Sequence, residues 1–499
     1  MNLIHNIPFF SIFLAMFAGI VTILIKDGDK ARRLHLSITV VIGIMSFILL
    51  MYTYTKEQRF TFMMGHFPSP WGNELKAGPL EAMLALLFSV VMFLSIIGGK
   101  HLIKKEILPE KQGFYFIMMN LIFGAMLAII YTNDLFTAYV FIEINTICSC
   151  ALIMAKDSGS SIIATIHYLI MSLLGSGFIL FSIAMLYSIT GQLLMTQLKG
   201  SIMVLLSSGE YNFPLTIIIA LFTIGIAIKS GLFPFHTMLP GAYDSATTAS
   251  SAILSGLVLK SYIILLIKMY YCVFTINMIR QMRITNLLFF LGLCGMVIGS
   301  LLALKERRIK RELAYSSVAQ IGYIYMGIGI GSDLGIEAAV LNIIAHALAK
   351  ALLFTVVGRM KDVSLSQDFN HCLKCAAHKD PIAGIGFLVG SFSIIGIPLF
   401  AGFASKLYLA IASFISPAKM ASAFIIIAAS MILNAMYFIP PTIDIWSPVH
   451  ESDGNYGPRA KVSKSFALST TAFIAINLLV GLNYKYIVHI VDIGIQLMH

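Results

Sequence analysis

Charge is scarce in this chain. Only 11% of its 499 residues are charged, against 58% hydrophobic, and a mean hydropathy of +0.89 excludes an ordinary soluble domain. No composition shift marks off a soluble module anywhere along its length. No solvated basic patch with interleaved aromatics is present either, which argues against nucleic acid as a partner despite a net charge of +11. No Lys or Arg precedes the first apolar run, whereas Lys26, Lys30, Arg32 and Arg33 follow it. A cleaved signal peptide needs a basic start, so the pattern reads as a first membrane span with the N-terminus outside.

Apolar runs of about 20 residues recur throughout, the length a helix needs to cross roughly 30 Å of hydrocarbon. Helices are the default, because backbone in lipid must satisfy its own hydrogen bonds. The fold class is therefore an all-α polytopic membrane protein. Fourteen spans are predicted, near residues 8–26, 34–54, 79–98, 114–131, 135–154, 162–187, 214–234, 246–270, 285–304, 313–331, 335–358, 382–410, 420–439 and 465–484. With alternating connections, the basic runs 26–33, 100–111, 305–311, 359–379 and 459–464 all fall on one face, the inner one, and both termini lie outside. The longest polar connections are 55–78, 190–213, 359–380 and 440–464, and 192–208 has the pattern of a short amphipathic helix.

Proline and glycine interrupt two spans. In 225-GIAIKSGLFPFH-236, Pro234 breaks span 7 just after Lys229; in 394-IIGIPLFAGFASK-406, Gly396, Pro398 and Gly402 break span 12 just before Lys406. Paired broken helices point to an ion site, because unwound backbone is tolerated at depth only where it is buried in protein or lines a cavity. The expected organisation of the single membrane domain 1–499 is three N-terminal spans (1–113), two five-helix units (114–270, spans 4–8, and 285–439, spans 9–13) and a last span (465–484).

Seven ionisable residues set inside predicted spans stand out as candidates: Glu143, His167, Lys229, Lys260, His346, Lys350 and Lys406. Each central charge costs at least about 2.5–3.5 kcal/mol on insertion scales, so such residues read as functional by default. Snorkelling to the headgroups is the plain alternative and suits Lys268 and Lys419, near span ends, while a neutral histidine can simply bond a neighbouring helix. One carboxylate among several lysines has a chemical use. Desolvation favours loss of the lysine proton and a nearby carboxylate favours its retention, so moving one charge switches its neighbour. His346 and Lys350, four apart on one helical face, can continue such a relay.

The cysteines add little: Cys148, Cys150, Cys272 and Cys294 pack as small apolar residues. In 371-HCLKCAAH-378, His371, Cys372, Cys375 and His378 could hold zinc, or the segment is an ordinary solvated loop. No metal and no cofactor is assigned.

The segments 133-NDLFTAYVFIEI-144, 229-KSGLFPFHTMLPGAYDSATTASSAILSGLVLK-260, 310-KRELAYSSVAQIGYIYMGIG-329, 346-HALAKALLF-354 and 399-LFAGFASK-406 resemble the antiporter-like subunits shared by respiratory complex I, Mrp-type sodium/proton antiporters and membrane-bound hydrogenases. The resemblance spans roughly residues 80 to 440 and is greatest to the Mrp D-type subunit in 240-PGAY-243 and 256-GLVLK-260. It implies inverted repeats in spans 4–8 and 9–13, broken helices 7 and 12, and a line of buried charges across the membrane middle. By motif, Glu143 and Lys229 match its coupling pair, Lys260 its connecting lysine, His346 and Lys350 its span 11 relay, and Lys406 the group that exchanges protons with one side. Three departures stand out. His167 occupies a position where many relatives have lysine, and Lys406 one where some have glutamate. The chain also ends soon after span 14 without a long lateral helix, which favours an internal position in a larger complex.

The function expected is proton translocation or cation/proton exchange by one subunit of a multisubunit energy-converting complex in a prokaryotic cell membrane, with other membrane subunits as partners and protons, with or without sodium ions, as the transported species. No redox chemistry is expected in the chain itself. A stand-alone carrier for a small solute or cation is the alternative, although a line of separate lysines suits ions better than an organic ligand. A haem subunit would need facing histidine pairs, which His167, His236 and His346 do not declare.

Overall fold

The computed structural model describes residues 3–67, 72–209, 211–364, 376–447 and 462–498. They form an α-helical membrane protein. Among the described residues, twelve helices are long and apolar enough to cross a membrane. Two expected spans fall on helices outside that set, for separate reasons. Ile309–Ile330 carries Lys310, Arg311, Glu312 and several polar residues, and the region 381–413 is divided into Pro381–Ile395 and Ala401–Ser413.

Burial sorts the helices into rim and centre. Gly28–Lys56 has about a third of its apolar window covered, whereas Thr248–Cys272 and Asp333–Ser364 are covered completely. The apolar windows of these two central helices are enclosed on every side, and the helices carry Lys260, His346 and Lys350. The rim presents Phe10, Phe13, Phe17, Ile44, Phe47, Ile163, Phe181, Ile432 and similar side chains outward, the surface that lipid tails or membrane partners solvate.

Both expected breaks are present. The first helix, Asn212–Ser230, stops at Gly231, whose φ of 69° closes the last turn, and the chain resumes after Pro234 in a 3₁₀ turn and the helix Met238–Ser245. The second, Pro381–Ile395, stops at Gly396 (φ 92°) and resumes at Ala401. Each terminus leaves orphan carbonyl groups at depth.

Four features differ from expectation. The connection 55–78 contains two short antiparallel strands, β1 (Phe60–Met63) and β2 (Glu74–Ala77), with Phe60 opposite Ala77 and Met63 opposite Glu74. The helix Pro417–Trp446 runs through Pro440 and Pro441 instead of ending at 439; membrane helices tolerate proline where neighbours and side chains take up the freed groups, and Thr442 bonds the Phe438 carbonyl at 2.7 Å. A further amphipathic helix, Tyr484–Gln496, follows the last apolar helix, and its Gly494 lies so close to Leu80 that a Cβ would sit 2.6 Å from the Leu80 side chain. Lys268 does not snorkel: it is buried and donates to the carbonyls of Ile130 at 2.7 Å and Thr132 at 2.6 Å. Those acceptors end the helix Pro109–Tyr131, where a cation is favoured. Lys419, partly exposed, caps Ile309–Ile330 in the same way through Gly329. The amphipathic segment does form a helix, Met195–Ser208, that buries Met195, Leu198 and Ile202.

Candidate functional site

Glu143 stands midway along Leu135–Met154, and Lys229 in the last turn of Asn212–Ser230. Their charged atoms are 3.6 Å apart, with Lys229 almost wholly buried and Glu143 24% exposed. Two further side chains complete the pair: Ser176 donates to the Glu143 carboxylate, and Lys229 donates to Thr146 at 2.6 Å. Thr146 follows Glu143 by three residues and so shares its helical face. The Lys229 ammonium also lies 5.9 Å from the centre of the Tyr262 ring.

Close helix packing permits this arrangement. Gly175 and Gly225 meet where Gly159–Thr190 crosses Asn212–Ser230. A Cβ at Gly175 would stand 2.9 Å from the Gly225 carbonyl and 3.1 Å from Lys229 Cγ.

Lys260 is fully buried beyond a π turn at Leu254–Val258, and it donates to the Ser255 carbonyl within that turn. Such wide turns occur mainly as single-turn bulges inside helices, often at functional positions. The Ser255 hydroxyl meets the Ser317 hydroxyl at 3.0 Å. The next residue back, Ser316, accepts from Lys350 at 2.7 Å, and Lys350 also donates to the Leu313 carbonyl at 2.8 Å. Adjacent serines of Ile309–Ile330 therefore tie the Lys260 region to Lys350. His346 is buried one turn before Lys350 in the field of both lysines, and neither of its ring nitrogens has a hydrogen-bond partner among the described residues.

Towards the second break, Asn342 lies one turn before His346. It accepts from Ser405 at 3.1 Å and donates to the Gln320 carbonyl at 3.0 Å. Lys406, next to Ser405, donates to the carbonyls of Ile394 and Ile395 and lies 5.3 Å from the Tyr323 ring centre. Its ammonium thus occupies the C-terminal end of the half-helix Pro381–Ile395, where orphan carbonyls and the helix dipole favour a cation.

The structure thus brings Glu143, Lys229, Lys260, His346, Lys350 and Lys406 into the interior or its margin. His167 is the exception. It is exposed, on the same stripe as Ile163, Ile166 and Ile170, while Tyr168, Ser172, Gly175 and Ser176 face inward. At 100° per residue, positions 163, 166, 167 and 170 share one outward face, so His167 is separated from the buried line. Of the zinc candidates, His371, Cys372 and Cys375 lie outside the described residues, and His378 bonds the Ser447 carbonyl at 3.1 Å beside Trp446. No cluster able to hold a metal occurs among the described residues.

Several polar partners escaped the sequence reading. Ser176, Thr146, Ser316, Ser317, Asn342 and Ser405 look like ordinary helix-interior residues until the helices are packed together. Glu312 was missed for another reason: an acid in a first helical turn reads as a routine response to the helix dipole, yet this one is only 2% exposed.

The matching region of the chain, residues 132–433, corresponds to the family described as NADH:quinone oxidoreductase/Mrp antiporter, transmembrane. The chain belongs to this family. The matched region includes both broken helices and every buried ionisable group named above. Among relatives of the antiporter family, the N-type subunit of the NADH-quinone oxidoreductase of Desulforudis audaxviator is 31% identical over 396 residues, covering 78% of this chain and 76% of that one. The D-type subunit of the Na(+)/H(+) antiporter of Alkalihalophilus pseudofirmus is 28% identical over 415 residues, covering 83% and 81%. Chains in two solved assemblies share the fold, each with a TM-score of 0.86. One is in the archaeal membrane-bound sulfane sulfur reductase, at 22% identity over 99% of this chain and 97% of that one. The other is in the Mrp complex of Dietzia sp., at 20% identity over the whole of both chains.

Proposed function

We propose that this chain is a proton-translocating subunit of a multisubunit complex in a prokaryotic cell membrane, with basic connections inside and both termini outside. The supporting observation is the chemistry around the buried lysines. Of the four lysines in the line, Lys229 has a carboxylate within ion-pair distance, while Lys260, Lys350 and Lys406 are held by carbonyl and hydroxyl oxygens. An ammonium offers three donors and a neutral amine still offers two. Neutral acceptors therefore suit both protonation states, whereas a fixed carboxylate would oppose release. Charge on one lysine disfavours charge on the next, so a proton arriving at Lys229 or leaving Lys406 shifts occupancy along the line.

In this reading Glu143 and Lys229 couple the relay to a neighbouring subunit, Lys260, His346 and Lys350 conduct, and Lys406 exchanges protons at the second break. The partly exposed Glu143 carboxylate supports a membrane partner on that side, because an ionised group facing lipid would be costly. The two five-helix units, 114–270 and 285–439, each contribute one broken helix and one terminal lysine.

The test is proton uptake by inverted membrane vesicles containing the whole complex. Lys229→Ala should abolish uptake while the complex remains assembled. Undiminished uptake by an assembled Lys229→Ala complex would refute the relay.

A further inference from the structure

An acid other than Glu143 faces the relay from the basic side of the protein, and this one is buried. Glu312 sits in the first turn of Ile309–Ile330, 2% exposed, and its Oε1 has no hydrogen-bond partner among the described residues. An unpartnered buried carboxylate oxygen costs free energy that folding does not recover locally. The charged groups acting on it are Lys350, from Asp333–Ser364, and Glu306, from the preceding turn; Tyr437, from Pro417–Trp446, lies within its field.

Lys350 is directed at this same turn. Its two acceptors, the Leu313 carbonyl and the Ser316 hydroxyl, are the next residue after Glu312 and the residue one turn on. Even so, the hydrogen bonds of Lys350 go to those two neutral oxygens, and no ion pair within 4.0 Å joins it to Glu312 among the described residues. Lys350 is bound to neutral oxygens while a carboxylate waits nearby, unneutralised by any direct contact with it. On the other side of Glu312 lies the surface. Glu306 is 16% exposed, accepts from the backbone of Arg307 and Arg308, and lies 3.7 Å from Arg311. Arg307 and Arg308 are exposed. The acid therefore stands between a water-facing carboxylate and an enclosed lysine.

We infer that Glu312 is the proton-uptake carboxyl of the relay, taking protons from the basic face and delivering them to Lys350. This rests on the proton-relay reading above. In the step, the Glu312 O–H bond breaks and an N–H bond forms on the neutral Lys350 amine, with the Ser316 hydroxyl as the bridge. The carboxylate left behind regains a proton from water at the Glu306 surface. Uptake would thus join the line at Lys350, far from the Glu143 end.

The experiment compares Glu312→Gln, Glu312→Asp and Lys229→Ala in inverted vesicles containing the intact complex, with a pH profile for each. Glu312→Gln should lose most proton uptake, and Glu312→Asp should recover part of it with a displaced pH profile. A Glu312→Gln complex with wild-type rate and profile, beside an inactive Lys229→Ala complex, overturns the uptake role and leaves the relay standing. Full activity in Lys229→Ala overturns both. Should Glu312→Gln fail to assemble, infrared difference spectra of the purified complex decide through Glu312→Asp. Acidification of the wild type should raise a protonated-carboxyl band that this variant displaces; a band left unmoved overturns the inference.

Discussion

The buried lysines differ in what holds their ammonium groups, and the difference sets what each substitution does. Lys229 is held by Thr146 at 2.6 Å and by Glu143 at 3.6 Å, so the hydroxyl is its shorter contact. Thr146→Val keeps the shape and removes that acceptor. A hydrogen bond to a charged group contributes about 1.5–3 kcal/mol, so Thr146→Val should lower the thermal unfolding midpoint of the purified protein and slow proton uptake, and Thr146→Ser should restore both. An unchanged midpoint would mean that Glu143 alone holds the ammonium. None of this was readable from Thr146 itself, since threonine at depth usually bonds its own helix, as Thr146 also does through the Ile142 carbonyl at 2.9 Å.

At the scale of elements, the site depends on how closely two helices can cross. Gly175 and Gly177 lie on the same helix, but a Cβ at Gly177 would meet nothing within 4 Å, while one at Gly175 would press on Gly225 and Lys229. Overpacking of this kind costs about 1–3 kcal/mol. Gly175→Ala should therefore weaken both stability and transport, and Gly177→Ala should weaken neither, in parallel measurements of melting and vesicle uptake. Equal behaviour of the two variants would show that the crossing does not position Lys229. The sequence signalled the elements well where composition dominates. The apolar runs located the membrane helices, and glycine with proline located both breaks, because these residues act through local backbone. It failed where three-dimensional facing decides. His167 has the same credentials in sequence as His346, yet one faces outward and the other inward, and only helix rotation within the bundle separates them.

At the scale of the whole molecule, distant segments are joined by charges at the basic face. Glu106, at the end of the short helix Lys100–Glu106, accepts from the Thr248 backbone at 2.7 Å and pairs with Lys156 at 3.1 Å. It thereby fixes the start of the central helix that carries Lys260 to two peripheral segments, with the carboxylate placed where a helix N-terminus favours an anion. Burial alone would raise its pKa, but Lys310, Lys156 and the Thr248 N–H outweigh burial and hold it below the ordinary value of 4.5. A carboxyl depressed in the folded state stabilises fully above its unfolded pKa and loses that contribution as pH falls through the lower folded value. Glu106→Gln should accordingly reduce the unfolding midpoint at neutral pH. The gap between variant and wild type should persist down to about the ordinary carboxylate pKa and close at more acidic pH. A gap of constant size across the acidic range would assign the loss to hydrogen-bond geometry instead of charge, and the basic face would then owe its cohesion to packing.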